Sequence, residues 1–142
     1  MFYFDASFVA PLVLPEAASA RVEAIMQQMT PGKIAVSHWT RVEFAGLVAR
    51  RVRMRELTEQ LASRAVLVFE TLLAESYQVI LPAPSDFNLA TRLLQHYRTG
   101  LRSGDALHLA IAQNHNADRF FTLDATLTKA AKLVGIPAGS EI

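Results

Sequence analysis

The alternation of short apolar segments with longer helical ones restricts the fold of this sequence more than any other feature. Four short segments are rich in the aromatic or β-branched residues of buried strands: residues 2–4, 33–36, 77–81 and 119–122. Residues 135–137 could hold a fifth strand. Strands that alternate with helices favour a parallel sheet covered on both faces. The pattern therefore predicts an α/β fold with three layers, α/β/α, and a central, mainly parallel sheet of four or five strands.

Apolar residues at helical spacing predict the helices between these strands. The predicted helices are residues 8–14, 16–29, 38–52, 55–76, 85–99, 103–114 and 124–133. Ser37, Ser85 and Ser103 are the expected N-caps of three of them, and Gly100 is expected to end the fifth helix. At 142 residues, 51% of them hydrophobic, residues 1–142 are expected to form a single domain.

Composition excludes several classes of chemistry and gives a weak indication of the compartment. The sequence has no cysteine, which removes disulfides, thiolate metal sites and cysteine nucleophiles. No basic segment precedes an apolar one at the amino terminus, and no run approaches the roughly 20 apolar residues of a membrane span. We therefore expect a cytoplasmic protein that does not enter a membrane.

Four acidic residues lie where a parallel sheet would bring them together. Asp5 ends the first strand and Asp124 follows the fourth, and ligands of such sheets bind outside the carboxyl ends of the strands. Asp105 and Glu43 lie near the starts of helices that are otherwise mostly apolar, so each carboxylate is expected to face a polar cavity or a partner.

Each of these acids also has a purely structural explanation. Aspartate near a helix N-terminus, as at Asp105 and Asp124, gains about 0.3–1 kcal/mol from the helix dipole, and Asp124 could be a simple N-cap. Asp5 is harder to explain in this way, because strands disfavour aspartate. Four carboxylates about 6 Å apart would repel by roughly 3 kcal/mol per pair, so a cluster needs protons or a cation, and an all-oxygen ligand set suits Mg²⁺ or Mn²⁺.

Four short motifs carry a resemblance to a known family. They are Phe4-Asp5-Ala6-Ser7, Thr40-Arg41-Val42-Glu43, the segment from Leu101 to Ala110 around Asp105, and Phe121-Thr122-Leu123-Asp124. Together they span the chain and resemble PIN-domain ribonucleases, especially the VapC-type toxins of bacterial toxin–antitoxin pairs.

The resemblance implies a fold, an activity and partners. It implies a PIN-like fold, endonucleolytic cleavage of RNA, a catalytic Mg²⁺ or Mn²⁺ site formed by Asp5, Glu43, Asp105 and Asp124, a cognate antitoxin and a homodimer. Ser7 and Thr122 match polar positions beside that site and would orient the carboxylates or the attacking water. The alternative is that Ser7 simply caps the first helix and that Thr122 is an ordinary strand residue.

The sequence contains no motif for an activated side-chain nucleophile, which leaves water as the nucleophile. Neither a G-x-S-x-G elbow nor a G-x-x-x-x-G-K-[ST] phosphate loop occurs, so we expect water to attack, its pKa lowered by one or two metal ions. His108 follows Asp105 by three residues and could share its helical face. In so apolar a helix we interpret it as a hydrogen-bonded core residue rather than a metal ligand.

Arginines are concentrated in one segment of a chain whose net charge is only +1. The cluster consists of Arg50, Arg51, Arg53 and Arg55. These cations could complement the dipole at a helix C-terminus, or could contact RNA phosphates or an antitoxin peptide. We favour the structural role for any single arginine and the binding role for the group.

Two other functions compete with a nuclease. The first is a non-catalytic PIN-like interaction module, against which the four acids argue. The second is a phospho-receiver domain, which would need paired acids after the first strand and a lysine near the pocket. Asp5 has no acidic neighbour, and Lys129 and Lys132 lie inside the last predicted helix.

Overall fold

The computed structural model describes residues 1–141, which form a parallel sheet and the helices that cover it. The strands are β1 (Phe2–Phe4), β2 (Ile34–Ser37), β3 (Gln78–Ile80), β4 (Arg119–Phe121) and β5 (Ala138–Gly139). The α-helices are α1 (Ala6–Val13), α2 (Ser19–Met26), α3 (His38–Arg53), α4 (Glu59–Ser76), α5 (Pro84–Leu94), α6 (Ser103–Asn114) and α7 (Ala125–Leu133), with a 3-10 helix at Tyr97–Thr99. No helix within these residues is long and apolar enough to cross a membrane.

All strand pairs of the sheet are parallel, and their order is β3-β2-β1-β4-β5. This result confirms the predicted α/β class and the upper of the two predicted strand counts. The order differs from the 2-1-3-4-5 order of flavodoxin-like domains, to which phospho-receivers belong, and so argues against that alternative. Strand β1 lies at the centre, so Asp5 leaves the middle of the sheet at its carboxyl edge.

The residues of β1 alternate between two hydrophobic cores, one on each face of the sheet. Phe4 packs with Phe8, Phe44 and Phe69 in the core beneath α1, α3 and α4. Tyr3 packs with Leu109 and other residues of α6 and α7 in the core on the opposite face. Successive side chains of a strand point to opposite faces, so one short strand supports both cores. The predicted three layers are confirmed.

The helix boundaries show where the predicted caps were right and where they were wrong. Ser37 caps α3 as predicted, with its side chain and that of Thr40 forming a capping box. Ser85 does not cap α5, which begins at Pro84, because the fixed φ of proline already suits the first helical position. Ser103 is the first residue of α6 rather than its cap, a position held by Arg102.

Other predicted boundaries shifted for local reasons. Helix α4 begins at Glu59 after the Thr58 cap rather than at residue 55, because Arg55 has a left-handed backbone with φ of 60°. The predicted helix of residues 85–99 ends at Leu94 and is followed by the 3-10 turn that Gly100 closes with φ of 71°. The last strand lies after Pro137 rather than on it, because proline has no N–H to pair.

Candidate functional site

A cavity of about 460 Å³ opens at the carboxyl edge of the sheet, and all four acids singled out from the sequence line it. Asp5 follows β1, Glu43 lies on α3, Asp105 is in the first turn of α6, and Asp124 is the N-cap of α7. Other polar residues of the lining are Ser7, Arg50, Arg102 and His108. The fold thus brings residues from four separate elements to one opening.

Asp5 is the most deeply placed of the four acids. It is 4% exposed, and its Oδ1 accepts hydrogen bonds from Phe8 N at 3.0 Å and Ser7 Oγ at 2.7 Å. Asp5 is therefore the N-cap of α1, the position for which Ser7 had been considered. Burial raises the pKa of the Asp5 carboxyl, although His108 and the hydrogen-bond donors around it act in the opposite direction. An added positive charge in the cavity would stabilise the ionised form.

Ser7 and Thr122 connect the loop of Asp5 with that of Asp124. Ser7 Oγ lies 3.2 Å from Thr122 Oγ1 and accepts a hydrogen bond from Leu123 N at 2.9 Å. Thr122 Oγ1 accepts from Asp124 N at 3.0 Å. The two hydroxyl groups therefore fix the spacing between the ends of β1 and β4, where two of the acids begin.

Arg102 bridges the two acids at the mouth of the cavity. Its Nε lies 3.2 Å from Asp105 Oδ2, and its terminal nitrogen lies 3.3 Å from Asp124 Oδ2. The other oxygen of Asp124 caps α7 by accepting from Thr126 N and Leu127 N. The Arg102 side chain is 76% exposed, so water and salt screen these ion pairs and they contribute little to stability. This guanidinium can be exchanged for another cation at little cost.

Glu43 is held by His108, a contact that the sequence did not reveal. His108 is 1% exposed; its Nε2 contacts Glu43 Oε2, and its Nδ1 lies 2.8 Å from the Tyr3 hydroxyl. The prediction of a buried, hydrogen-bonded histidine is confirmed, but its partner is a cavity acid. The spacing of Asp105 and His108 indicated that the histidine could share a helical face with a cavity acid, but it did not indicate Glu43 as the partner.

Tyr3 is a second residue that the sequence reading did not single out. Its side chain is fully buried, and its hydroxyl lies 2.8 Å from both His108 Nδ1 and Ser37 Oγ. Burial raises the pKa of this hydroxyl well above its ordinary value, so it keeps its proton. A tyrosine in an otherwise buried strand needs a polar partner, and that requirement was the available signal.

The donor set of the cavity suits a hard divalent cation. Within residues 1–141, no three His, Asp or Glu side chains meet closely enough to hold a metal ion, and three of the acids have Arg102 or His108 as partners. The cavity nevertheless offers carboxylate oxygens and no sulfur, which Mg²⁺ and Mn²⁺ favour. The desolvated Asp5 would gain most from such an ion, so the residues present fit this kind of ligand.

The four arginines of the predicted cluster lie in different surroundings in the structure. Arg50 lines the cavity, whereas Arg51 forms an ion pair with Glu16, in the segment before α2. Arg53 and Arg55 are exposed at the end of α3 and just beyond it. Only Arg50 of this group therefore lies beside the acids.

The sequence matches the model of the PIN domain family over residues 2–133. The chain belongs to the PIN domain family. The predicted resemblance is thereby confirmed for nearly the whole chain. No curated protein sequence matches this PIN domain significantly.

Solved structures with the same fold come from toxins and toxin–antitoxin complexes. VapC20 of Mycobacterium tuberculosis, described as a toxin that cleaves the sarcin–ricin loop, matches with a TM-score of 0.74 and 17% identity over 96% of each chain. A toxin–antitoxin complex of Klebsiella pneumoniae matches with a TM-score of 0.66 and 21% identity over 100% of each chain. VapBC2 of Rickettsia felis, bound to a promoter DNA fragment, matches at 0.66 and 15% over 99% of this PIN domain and 98% of that chain. These similarities show a shared fold.

Proposed function

We propose that this PIN domain is a metal-dependent endoribonuclease, the toxin of a toxin–antitoxin pair, formed by residues 1–142 as one domain. The observation that carries the proposal is the meeting of Asp5, Glu43, Asp105 and Asp124 around one open cavity. A cluster of carboxylates is costly unless a cation neutralises it, so its maintenance by four separate elements points to metal chemistry. Membership of the PIN family and the toxins of the same fold support RNA hydrolysis.

Asp5, Glu43, Asp105 and Asp124 would hold Mg²⁺ or Mn²⁺ as catalytic residues. A bound ion of this kind supplies a water of lowered pKa and offsets charge on the leaving oxygen. Ser7 keeps Asp5 in place through the 2.7 Å hydrogen bond, and Thr122 holds the neighbouring loop. The two hydroxyl residues thus prevent the acids from moving apart or turning away from the cavity.

Arg102 and Arg50 are the groups best placed to bind the phosphate backbone. Arg102 now pairs with Asp105 and Asp124, and neutralisation of those acids by a cation releases its guanidinium. A released guanidinium at the cavity mouth can donate two parallel hydrogen bonds to a phosphate. Arg50, in the last turn of α3, contributes a second positive charge to the cavity lining.

The partners follow from the same proposal. A cognate antitoxin would bind the toxin, as the toxin–antitoxin complexes with this fold indicate, and the toxin would act as a homodimer in the cytoplasm on RNA. The exposed Arg53 and Arg55 offer charge for RNA or antitoxin contacts outside the cavity. Coexpression with the product of an adjacent small gene, followed by co-purification and loss of nuclease activity, tests the antitoxin.

Cleavage assays with a matched pair of variants test the activity. Asp105→Asn removes one charge of the cavity, whereas Asp118→Asn removes an exposed aspartate whose partner is the amino-terminal group. We expect Asp105→Asn to lose more than about 100-fold in RNA cleavage with Mg²⁺ or Mn²⁺, and Asp118→Asn to retain the wild-type rate. Cleavage of DNA instead of RNA, or full activity in Asp105→Asn, would contradict the proposal. If the folded wild type neither binds metal nor cleaves RNA, the result would favour the alternative of a non-catalytic interaction module.

A further inference from the structure

We propose that Tyr3 and His108 are positioning residues that fix the Glu43 carboxylate for metal binding. This inference rests on the proposed metal-dependent activity and concerns residues that lie behind the acids rather than among them. The observation is a buried chain of hydrogen bonds that begins at Ser37 and ends at Glu43. It passes from Ser37 Oγ to the Tyr3 hydroxyl, from there to His108 Nδ1, and from His108 Nε2 to Glu43 Oε2.

Glu43 differs from Asp5 and Asp124 in what holds its side chain. Backbone N–H groups hold Asp5 and Asp124, since both residues cap helices, and Asp105 lies in a helical first turn. Glu43 lies within α3, where the N–H groups are used by the helix itself. Among residues 1–141, His108 is the hydrogen-bond partner found for this carboxylate. The orientation of Glu43 therefore depends on a side chain.

The direction of the hydrogen bonds explains why Tyr3 is needed. A carboxylate only accepts, so His108 must carry its proton on Nε2 to bind Glu43. In a neutral imidazole the other nitrogen, Nδ1, is then an acceptor, and the Tyr3 hydroxyl is placed to donate to it at 2.8 Å. Ser37 Oγ can in turn donate to Tyr3 while it accepts from Thr40 N. Because a tyrosine hydroxyl can either donate or accept, Tyr3 holds the imidazole ring with Nε2 facing Glu43 in either protonation state.

Close contacts restrict Glu43 on its other side. A Cβ atom at Gly104 would lie 3.2 Å from Glu43 Oε1 and 3.1 Å from the Trp39 ring, so the bare glycine leaves just enough room for the carboxylate. One oxygen of Glu43 is therefore held by His108 and the other lies against the start of α6. A histidine with only a packing role would contact Tyr3 and the aromatic rings around it and no residue of the cavity. Here its second nitrogen is directed to the cavity.

Titration of Mn²⁺ into the full-length, EDTA-stripped protein by calorimetry tests the proposal without reference to turnover. Tyr3→Phe removes only the hydroxyl, His108→Leu removes both nitrogens, and His108→Gln keeps one N–H donor. We expect Mn²⁺ affinity to fall about 10-fold in Tyr3→Phe and up to about 100-fold in His108→Leu, with His108→Gln restoring part of the loss. The KM for RNA should stay unchanged, and saturating Mn²⁺ should recover most of the rate.

The chain offers matched controls for both residues. Tyr77→Phe removes the hydroxyl of a tyrosine in the core on the other face, and His115→Gln alters a histidine that pairs with Asp86 at the far end of α6. Both controls should bind Mn²⁺ like the wild type. If Tyr3→Phe and His108→Leu lose stability in urea but keep wild-type Mn²⁺ affinity, their role is structural and the proposal is overturned.

The outcomes for the wild type separate this inference from the proposed function. A wild type that binds Mn²⁺ without cleaving RNA overturns the ribonuclease but leaves the positioning of Glu43 to be decided by the affinities of the variants. A wild type that neither binds Mn²⁺ nor cleaves RNA overturns both. Wild-type activity together with unchanged affinity in all three variants overturns the positioning role alone.

Discussion

Asp5 and Asp86 are two buried aspartates at the starts of helices, and their pKa values are shifted in opposite directions. Asp5 is 4% exposed and Asp86 is 0% exposed. Burial raises the pKa of Asp5. Burial also acts to raise the pKa of Asp86, but hydrogen bonds from Ala83 N, Asn114 and His115 outweigh it and lower that pKa. Low exposure alone therefore does not distinguish a reactive carboxylate from a structural one.

The difference lies in what surrounds each carboxylate. Asp86 accepts from Ala83 N at 2.8 Å, Asn114 Nδ2 at 2.8 Å and His115 Nε2 at 3.3 Å, so it ties α5 to α6. His115 is 35% exposed, so only a thin layer covers Asp86. Asp5 lies under the sheet edge with hydroxyl donors and an open cavity beside it. The hydrogen bonds to Asp86 outweigh its burial, whereas those to Asp5 do not.

The largest expected difference between the two aspartates is in activity. Asp5→Asn keeps a helix cap but removes the charge, so we expect it to lose more than about 100-fold in metal-dependent RNA cleavage. Asp86→Asn should retain the wild-type rate per folded molecule. Single-turnover assays on protein whose folded fraction is checked by circular dichroism make this comparison. Equal activity in Asp5→Asn and the wild type would remove Asp5 from the site.

Without metal, substitution of Asp86 should reduce the stability of the protein more than substitution of Asp5 does. Asp86→Ala leaves the Ala83 N–H and two side-chain donors without their acceptor, so we expect a loss of about 3 kcal/mol in the free energy of unfolding. Asp5→Asn should be at least as stable as the wild type at neutral pH, because it removes a charge that burial disfavours. Urea unfolding in EDTA measures both, and a less stable Asp5→Asn would contradict the contrast.

Added metal should stabilise only proteins that keep the cavity acids. Mg²⁺ or Mn²⁺ at about 100 times its Kd should stabilise the wild type and Asp86→Asn by roughly 2.7 kcal/mol. Asp5→Asn should gain far less, and the gain in all proteins should shrink at low pH, where carboxylates are protonated. Thermal unfolding with metal and with EDTA gives these values. Identical melting under both conditions would argue against a shared metal site.

The smallest effect is a pair of opposite pH dependences in EDTA. Asp5 has a raised pKa in the folded state, so its contribution to stability is full below the unfolded pKa of about 3.9 and declines as the pH rises through the folded value. Asp86 has a lowered pKa, so its contribution is full above about 3.9 and is lost as the pH falls. Relative to the wild type, Asp5→Asn should gain stability and Asp86→Asn lose it as the pH rises from 3 to 7. Parallel curves would contradict the opposite shifts.

The sequence predicted the strands and the acids better than the contacts between distant residues. Periodicity is local, so the strand at residues 2–4 and the Ser37 cap could be predicted from neighbouring residues. The Ser85 and Ser103 caps were wrong because capping depends on backbone geometry as well as on residue type. A structural role was hardest to assign to Asp5 from the sequence, but Asp5 caps α1.

Contacts made by the tertiary fold were not predictable from one sequence. Tyr3 and His108 are 105 residues apart, and nothing in either local segment specifies the other. Asp86 was overlooked because its donors Asn114 and His115 come from the far end of a later helix. Arg102 was also missed, because its two ion pairs join the start of α6 to the start of α7.

The position of β1 in the sheet has a consequence for the synthesis of the protein. Strand β1 precedes the other strands in the chain, but its partner β4 and the cap of α7 follow only after helices α1 to α6. Because chains emerge from the ribosome amino terminus first, Asp5 cannot meet Asp124 until the segment between them has been translated. The four acids that line the cavity therefore come together only after the whole segment from Asp5 to Asp124 has emerged.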